Sequence, residues 1–223
     1  YLCFIGDDDG INPDIIEAAI WAKKNNLDAL VEKTHIYYLW PSDSRTGKQF
    51  IYPFTGKIND VNIKNELEKF LKDGGVYYLN YDLPKVYHGI VKKESFDYVA
   101  NVLGYYFGGL SADIFTSIAL SLYMKRVVAI DYPLTIAGSS AASEQTHRTE
   151  EAKYLKLENA PHFRARGDYS WSNDVPSVYS VATIWAESAF KALELFKRDD
   201  LKMKINRIRL GVYISLEAPH HEK

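Results

Sequence analysis

With 223 residues, 47% of them hydrophobic and 25% charged, the chain has the composition of a soluble globular protein and enough length for one sizeable core in one compact domain. A formal net charge of -2 removes any general attraction to nucleic acid or anionic membrane; no apolar stretch is long enough to span a bilayer, and no signal-peptide pattern opens the sequence. The single cysteine, Cys3, excludes an internal disulfide and suits a reducing compartment, so a cytoplasmic protein is expected.

The apolar run Tyr1–Ile5 reads as a strand, Gly6-Asp7-Asp8-Asp9-Gly10 as an acidic turn, and the residues from Asp14 to about Asn26 as a helix. Asn12 is a good N-cap, Pro13 suits the first helical position, and Asp14 complements the positive helix end. Three carboxylates at the mouth of a sheet repel one another unless a cation neutralises them, so the turn implies a divalent metal or an equivalent partner. Two other readings stay open. Asp and Gly are ordinary turn residues, so this is also a plain solvated turn. The order of acidic residues also has the look of a calcium loop, although Gly10 abuts Ile11 and Asp14 arrives too early for one.

Further along, Asp28 to Trp40 reads as one strand entering a turn at Pro41, and Gly47 to Ile58 as a hairpin. Val61 to Lys72 places Ile63, Leu67, Phe70 and Leu71 on one helical face, and Gly74-Gly75 ends it. Val76–Leu79 is a short strand, Lys92 to Leu103 a helix, and Ser111 the N-cap of a helix reaching about Lys125. Arg126 to Ile130 is a strand, Gly138 to Glu151 a polar, mobile loop, and Pro161 to Pro176 irregular. Ser180 to Arg198 is a long amphipathic helix, and Arg207 to Ser215 an alternating final strand. The count of 17 Tyr and 4 Trp is high against 2 Met; rings with polar edges suit sugars and nucleobases, though most belong in a core.

The acidic turn resembles the donor site of family 2 glycosyltransferases of the GT-A fold. The likeness continues through Leu83-Pro84-Lys85-Val86-Tyr87-His88-Gly89, Gly108-Gly109-Leu110-Ser111-Ala112-Asp113 and Pro133-Leu134-Thr135-Ile136-Ala137-Gly138-Ser139-Ser140, which are similar to a bacterial subgroup of that family. It covers roughly Leu2 to Ser143. Ala112 stands where the subgroup usually has Pro, and the Gln-x-x-Arg-Trp motif of processive synthases is absent, which implies addition of one sugar at a time. Family members carry a nucleobase-binding segment ahead of the acidic turn, so the chain is expected to be the catalytic and acceptor-side part of a larger enzyme. The implied fold is α/β: a partial GT-A-like, Rossmann-like mixed sheet flanked by helices over residues 1–143, followed by an irregular C-terminal extension, 144–223.

The resemblance implies a metal-dependent, inverting transfer from a nucleotide sugar, UDP-linked in preference to GDP-linked, to a saccharide or lipid-linked acceptor in assembly of a bacterial surface polysaccharide. Mn2+ or Mg2+ would be held by Asp9, with Asp7 sharing it or approaching the ribose, and Asp8 would support the turn on the donor side. Asp113 would be the base, kept ionised by its helix end; a helix-capping role is the other reading. His147 and Arg148 would close over the diphosphate, and His88 and Trp40 would line the acceptor pocket. The long amphipathic helix also leaves room for a peripheral membrane contact at the inner face. Three alternatives remain beside the transferase: a calcium- or carbohydrate-binding module, a non-catalytic partner subunit, and glycoside hydrolysis by paired carboxylates such as Asp9 and Asp113.

Overall fold

The computed structural model describes residues 1–42, 45–141, 157, 161–163 and 169–217. In chain order come β1 (Gly10–Ile11), α1 (Ile15–Lys24), β2 (Ala29–Glu32), β3 (Ile36–Leu39), β4 (Lys48–Ile51), β5 (Ile58–Asp60), α2 (Ile63–Lys72), β6 (Gly89–Val91), α3 (Lys93–Leu103), α4 (Ala112–Ser121), β7 (Val127–Ile130), β8 (Thr135–Ser139), α5 (Val181–Leu195), α6 (Asp199–Lys202) and α7 (Arg207–Glu217). The architecture is α/β, with two mixed four-stranded sheets flanked by helices.

Both sheets follow one plan, a central parallel pair with an antiparallel strand on each side. The first has the order β5-β7-β2-β6 and the second β1-β8-β3-β4. β2 runs parallel to β7 and, a few residues later, β3 runs parallel to β8. Two neighbouring chain segments therefore bend together, leaving one sheet and entering the other side by side. The bend falls after Glu32 on one segment and just before Thr135 on the other.

Alternation sorts the first sheet's side chains onto two helical layers. Leu30, Ile90 and Val128 pack with Ala22 and Leu27 at α1. Ala29, Val31, Val91, Val127 and Ala129 face Phe96 and Val99 of α3 and Ala119 and Leu120 of α4. Behind α4 a further cluster joins Phe70 and Leu71 of α2, Ile114, Phe115 and Ile118 of α4, Phe190 and Leu193 of α5, and Leu210 of α7. Each such fully buried side chain is worth roughly 1.5–3 kcal/mol relative to exposure. The expected C-terminal extension is thus largely helical where described, and α5 lies directly on α4.

Several local expectations shift. Tyr1–Ile5 joins the sheet only through isolated bridges, Leu2 to Val91 and Phe4 to Tyr87. The single strand expected over Asp28 to Trp40 is two strands in two sheets. The hairpin is β3–β4, not Gly47 to Ile58, whose last residue opens β5 in the other sheet. Val76–Leu79 is not extended: Gly74, Gly75 and Tyr77 all have positive φ and lead into a single 3-10 turn at Tyr78–Asn80. Gly138 and Ser139, expected in a loop, close β8; residues 142–151 of that expected loop lie outside the described residues. Most clearly, 207–215 is helical. Leu210, Tyr213 and Ile214, at helical spacing, turn onto the core while Ile208 and Val212 stay exposed, a pattern that alternation in the sequence conceals.

Candidate active site around the acidic turn

The turn Gly6–Asp9 is fixed on two sides. On one, the Phe4 N–H donates to the Val86 carbonyl at 2.7 Å and the His88 N–H to the Phe4 carbonyl at 3.1 Å, so residues 86–88 run beside it. On the other, β8 arrives so close that a Cβ on Gly138 would stand 1.6 Å from the Asp8 carbonyl oxygen. Only glycine fits there. The Asp8 carbonyl also accepts from Trp40 Nε1 at 2.7 Å, and its carboxylate accepts from the Ser140 N–H at 3.0 Å.

Asp9 is the centre of the arrangement. Its Oδ2 accepts from the Gly6 N–H at 2.6 Å and the Tyr87 hydroxyl at 2.5 Å and lies 3.1 Å from His88 Nε2, while Oδ1 accepts from the Gly138 N–H at 2.7 Å. Its side chain is 3% exposed. Burial pushes the carboxyl up, but the Tyr87, Gly138 and Gly6 hydrogen bonds and the His88 charge outweigh it and hold Asp9 below the usual carboxylate range. Asp9, expected to offer an oxygen to a cation, is instead taken up by four protein donors. Asp7 is exposed and makes no hydrogen bond among the described residues.

His88, expected at an acceptor pocket, is buried at φ 53°, and its ring spans two partners, Asp9 through Nε2 and Thr135 Oγ1 through Nδ1 at 2.8 Å. Burial lowers its pKa, with Asp9 pulling the other way. Thr135 in turn donates its hydroxyl to Glu32 Oε2 at 2.8 Å and its N–H to Glu32 Oε1 at 3.1 Å. His35 Nδ1 stands 3.1 Å from Glu32 Oε1 but makes no aligned hydrogen bond. Glu32 and Thr135 were not singled out from the sequence. Their one signal is a charge closing the apolar run Ala29-Leu30-Val31-Glu32.

Asp113 occupies the first turn of α4. The preceding loop lies flat on the helix: a Cβ at Gly108 would stand 2.4 Å from the Phe115 ring, and Gly109 adopts φ 65°. The Ser111 N–H donates to Ser188 Oγ of α5 at 2.8 Å, and the Ser111 side chain makes no cap. Among the described residues nothing hydrogen-bonds the Asp113 carboxylate, and burial raises its pKa, against the expectation that the helix end keeps it well ionised. Its charge reaches the Tyr78 and Tyr87 hydroxyls. Tyr87 therefore connects the two acidic elements, bonded to Asp9 and in the field of Asp113; burial, then that hydrogen bond, then both charges keep its phenol protonated.

The structure thus brings Asp8, Asp9, His88 and Trp40 into direct contact with one another or with their shared strand. Trp40 is exposed and meets Tyr38 edge-on at 4.9 Å. His147 and Arg148 lie outside the described residues. No helix among the described residues is long and apolar enough to cross a membrane. Compared with models of protein families, with curated proteins and with solved structures, the chain matches none.

Proposed function

We propose that the chain is the catalytic, acceptor-side part of an inverting glycosyltransferase, moving one sugar at a time from a UDP-sugar to a saccharide or lipid-linked acceptor at the cytoplasmic face of a bacterial membrane. The observation that carries this reading is Asp113: a half-buried carboxylate with no hydrogen bond among the described residues and a raised pKa, whose charge reaches the tyrosine that is bonded to the acidic turn. Such a group is a stronger base than an ordinary carboxylate and has an unoccupied oxygen to offer. In the proposed step the acceptor hydroxyl oxygen bonds to the sugar C1, the bond from C1 to the diphosphate oxygen breaks, and the hydroxyl proton passes to Asp113.

The resemblance also implies Mn2+ or Mg2+. The residues do not fit a ready-made site built on Asp9, because both of its oxygens already accept hydrogen bonds, and the described residues contain no group of three His, Cys, Asp or Glu able to hold an ion. The proposed step is accordingly written on the chain's own groups.

Asp113→Asn is expected to lower sugar transfer by about 10²–10⁴-fold, the usual worth of a general base, with UDP affinity in calorimetric titration unchanged. A wild-type rate in that variant would sink the assignment. A carbohydrate-binding module is the second reading, favoured by the exposed rings Tyr37 and Phe50 on β3–β4 and Tyr52 just after β4, where Tyr37 and Tyr52 meet edge-on at 5.9 Å. Saccharide binding without nucleotide binding or transfer would support it.

A further inference from the structure

We propose that Asp9 is the internal brace of the acidic turn and not a cation ligand, and that His88, Thr135 and Glu32 are positioning residues that hold it through one continuous chain of hydrogen bonds. The inference does not rest on the transferase reading, since it concerns the free protein and its test reads no activity.

The chain runs from the turn to the bend between the two sheets: Asp9 Oδ2, His88 Nε2 at 3.1 Å, His88 Nδ1, Thr135 Oγ1 at 2.8 Å, Glu32 Oε2 at 2.8 Å. Its members are almost fully withdrawn from water, with His88 9%, Thr135 0% and Glu32 2% exposed. Buried polar groups of this kind are costly unless satisfied, and here each link satisfies the next. The His88 backbone is held in the left-handed region, φ 53°, a conformation that costs a non-glycine residue and persists because the surroundings require it.

Asp9 Oδ2 and the Thr135 hydroxyl stand at the two nitrogens of the His88 ring. Nε2 faces a carboxylate, which has only lone pairs, so that nitrogen carries the proton of the neutral ring that burial favours. A metal at Asp9 would have to evict the Tyr87 hydroxyl, His88 or the Gly6 and Gly138 amides.

The test is nitrogen NMR of the His88 ring in the full chain, with and without Mg2+ and UDP. The expected result is a protonated Nε2 in both conditions. Glu32→Gln, which replaces one of the two oxygens that Thr135 donates to with an amide nitrogen, is expected to speed exchange of the Gly6 and Gly138 amide protons several-fold while Nε2–H remains. Thr135→Val, which cuts the chain, is expected to speed exchange of the Gly6 and Gly138 amide protons about tenfold, on the order of one lost hydrogen bond. An unprotonated Nε2, loss of its proton on adding Mg2+ with UDP, or Gly6 and Gly138 exchange unchanged in Glu32→Gln would each overturn the proposal. A purely packing role for Glu32 would leave those exchange rates where they were, and if Thr135→Val does not fold, the near-isosteric Glu32→Gln still decides.

Discussion

At the scale of single residues, Gly138 sets the tightest constraint near the candidate site. The added Cβ of Gly138→Ala would enter the Asp8 carbonyl at 1.6 Å, a backbone contact with no flexible end to yield. The turn or β8 must therefore move, breaking the Gly138 and Ser140 hydrogen bonds to Asp9 and Asp8. The expected cost is at least about 3 kcal/mol, the upper end of overpacking, read as a lowered urea midpoint. A variant as stable as wild type would mean that the turn is not pressed against β8. Asp9 and Asp113 show how environment divides two carboxylates of one chain. Asp9 is surrounded by donors and pulled down, whereas the half-buried Asp113 has none among the described residues and is pushed up.

At the scale of elements, the informative helix is α7. Leu210 is 2% exposed and Ile208 is 82% exposed, although a strand would place both on one face. Leu210→Ala is expected to cost about 2–5 kcal/mol and Ile208→Ser nearly nothing, by the usual scale for a core leucine against a surface position. Equal losses at both positions would restore the strand reading. The helix is tied down at several points, with Arg209 on Asp73 at 2.6 Å and Glu217 accepting from the Tyr77 hydroxyl at 2.6 Å and the Ala182 N–H at 2.8 Å. The last of these contacts places a carboxylate at the N-terminus of α5, beside the capping box formed by Ser180 and Thr183. Ser180→Ala should therefore cost about 1 kcal/mol, the common worth of such a cap, measurable as a small shift in the thermal midpoint.

At the scale of the whole molecule, the paired bend of β2–β3 and β7–β8 brings polar groups inside, and Lys85 lies nearby with 5% exposure. Among the described residues its ammonium donates only to the Tyr81 carbonyl, at 3.3 Å, and burial lowers its pKa from 10.5 to about 8 against the pull of Asp82 and Glu32. Above about pH 8 the folded chain has released a proton that the unfolded chain still binds up to its ordinary value of 10.5. Folding stability from this group therefore rises with pH through that window, by an amount on the order of 3 kcal/mol if the whole window is crossed. Urea unfolding at pH 7, 8 and 9 should show the rise, and Lys85→Met should flatten it. A wild-type stability that is level or falling between pH 8 and 9 would contradict the burial argument. The sequence by itself determined the α/β alternation and the helices α1 to α5, because amphipathic spacing and the glycines after α2 act over a few residues; the side-chain caps Asn62 and Ser180 emerged only in the structure, whereas the expected cap Ser111 makes none. It also placed Asp7, Asp8 and Asp9 in a turn and Asp113 in the first turn of a helix. Only the tertiary structure decided that Asp9 is enclosed by donors, that Glu32 and Thr135 meet, and that 207–217 is a helix. Those outcomes depend on which distant backbone arrives at a given carboxylate or apolar face, and such contacts between residues about a hundred positions apart leave no periodicity to read.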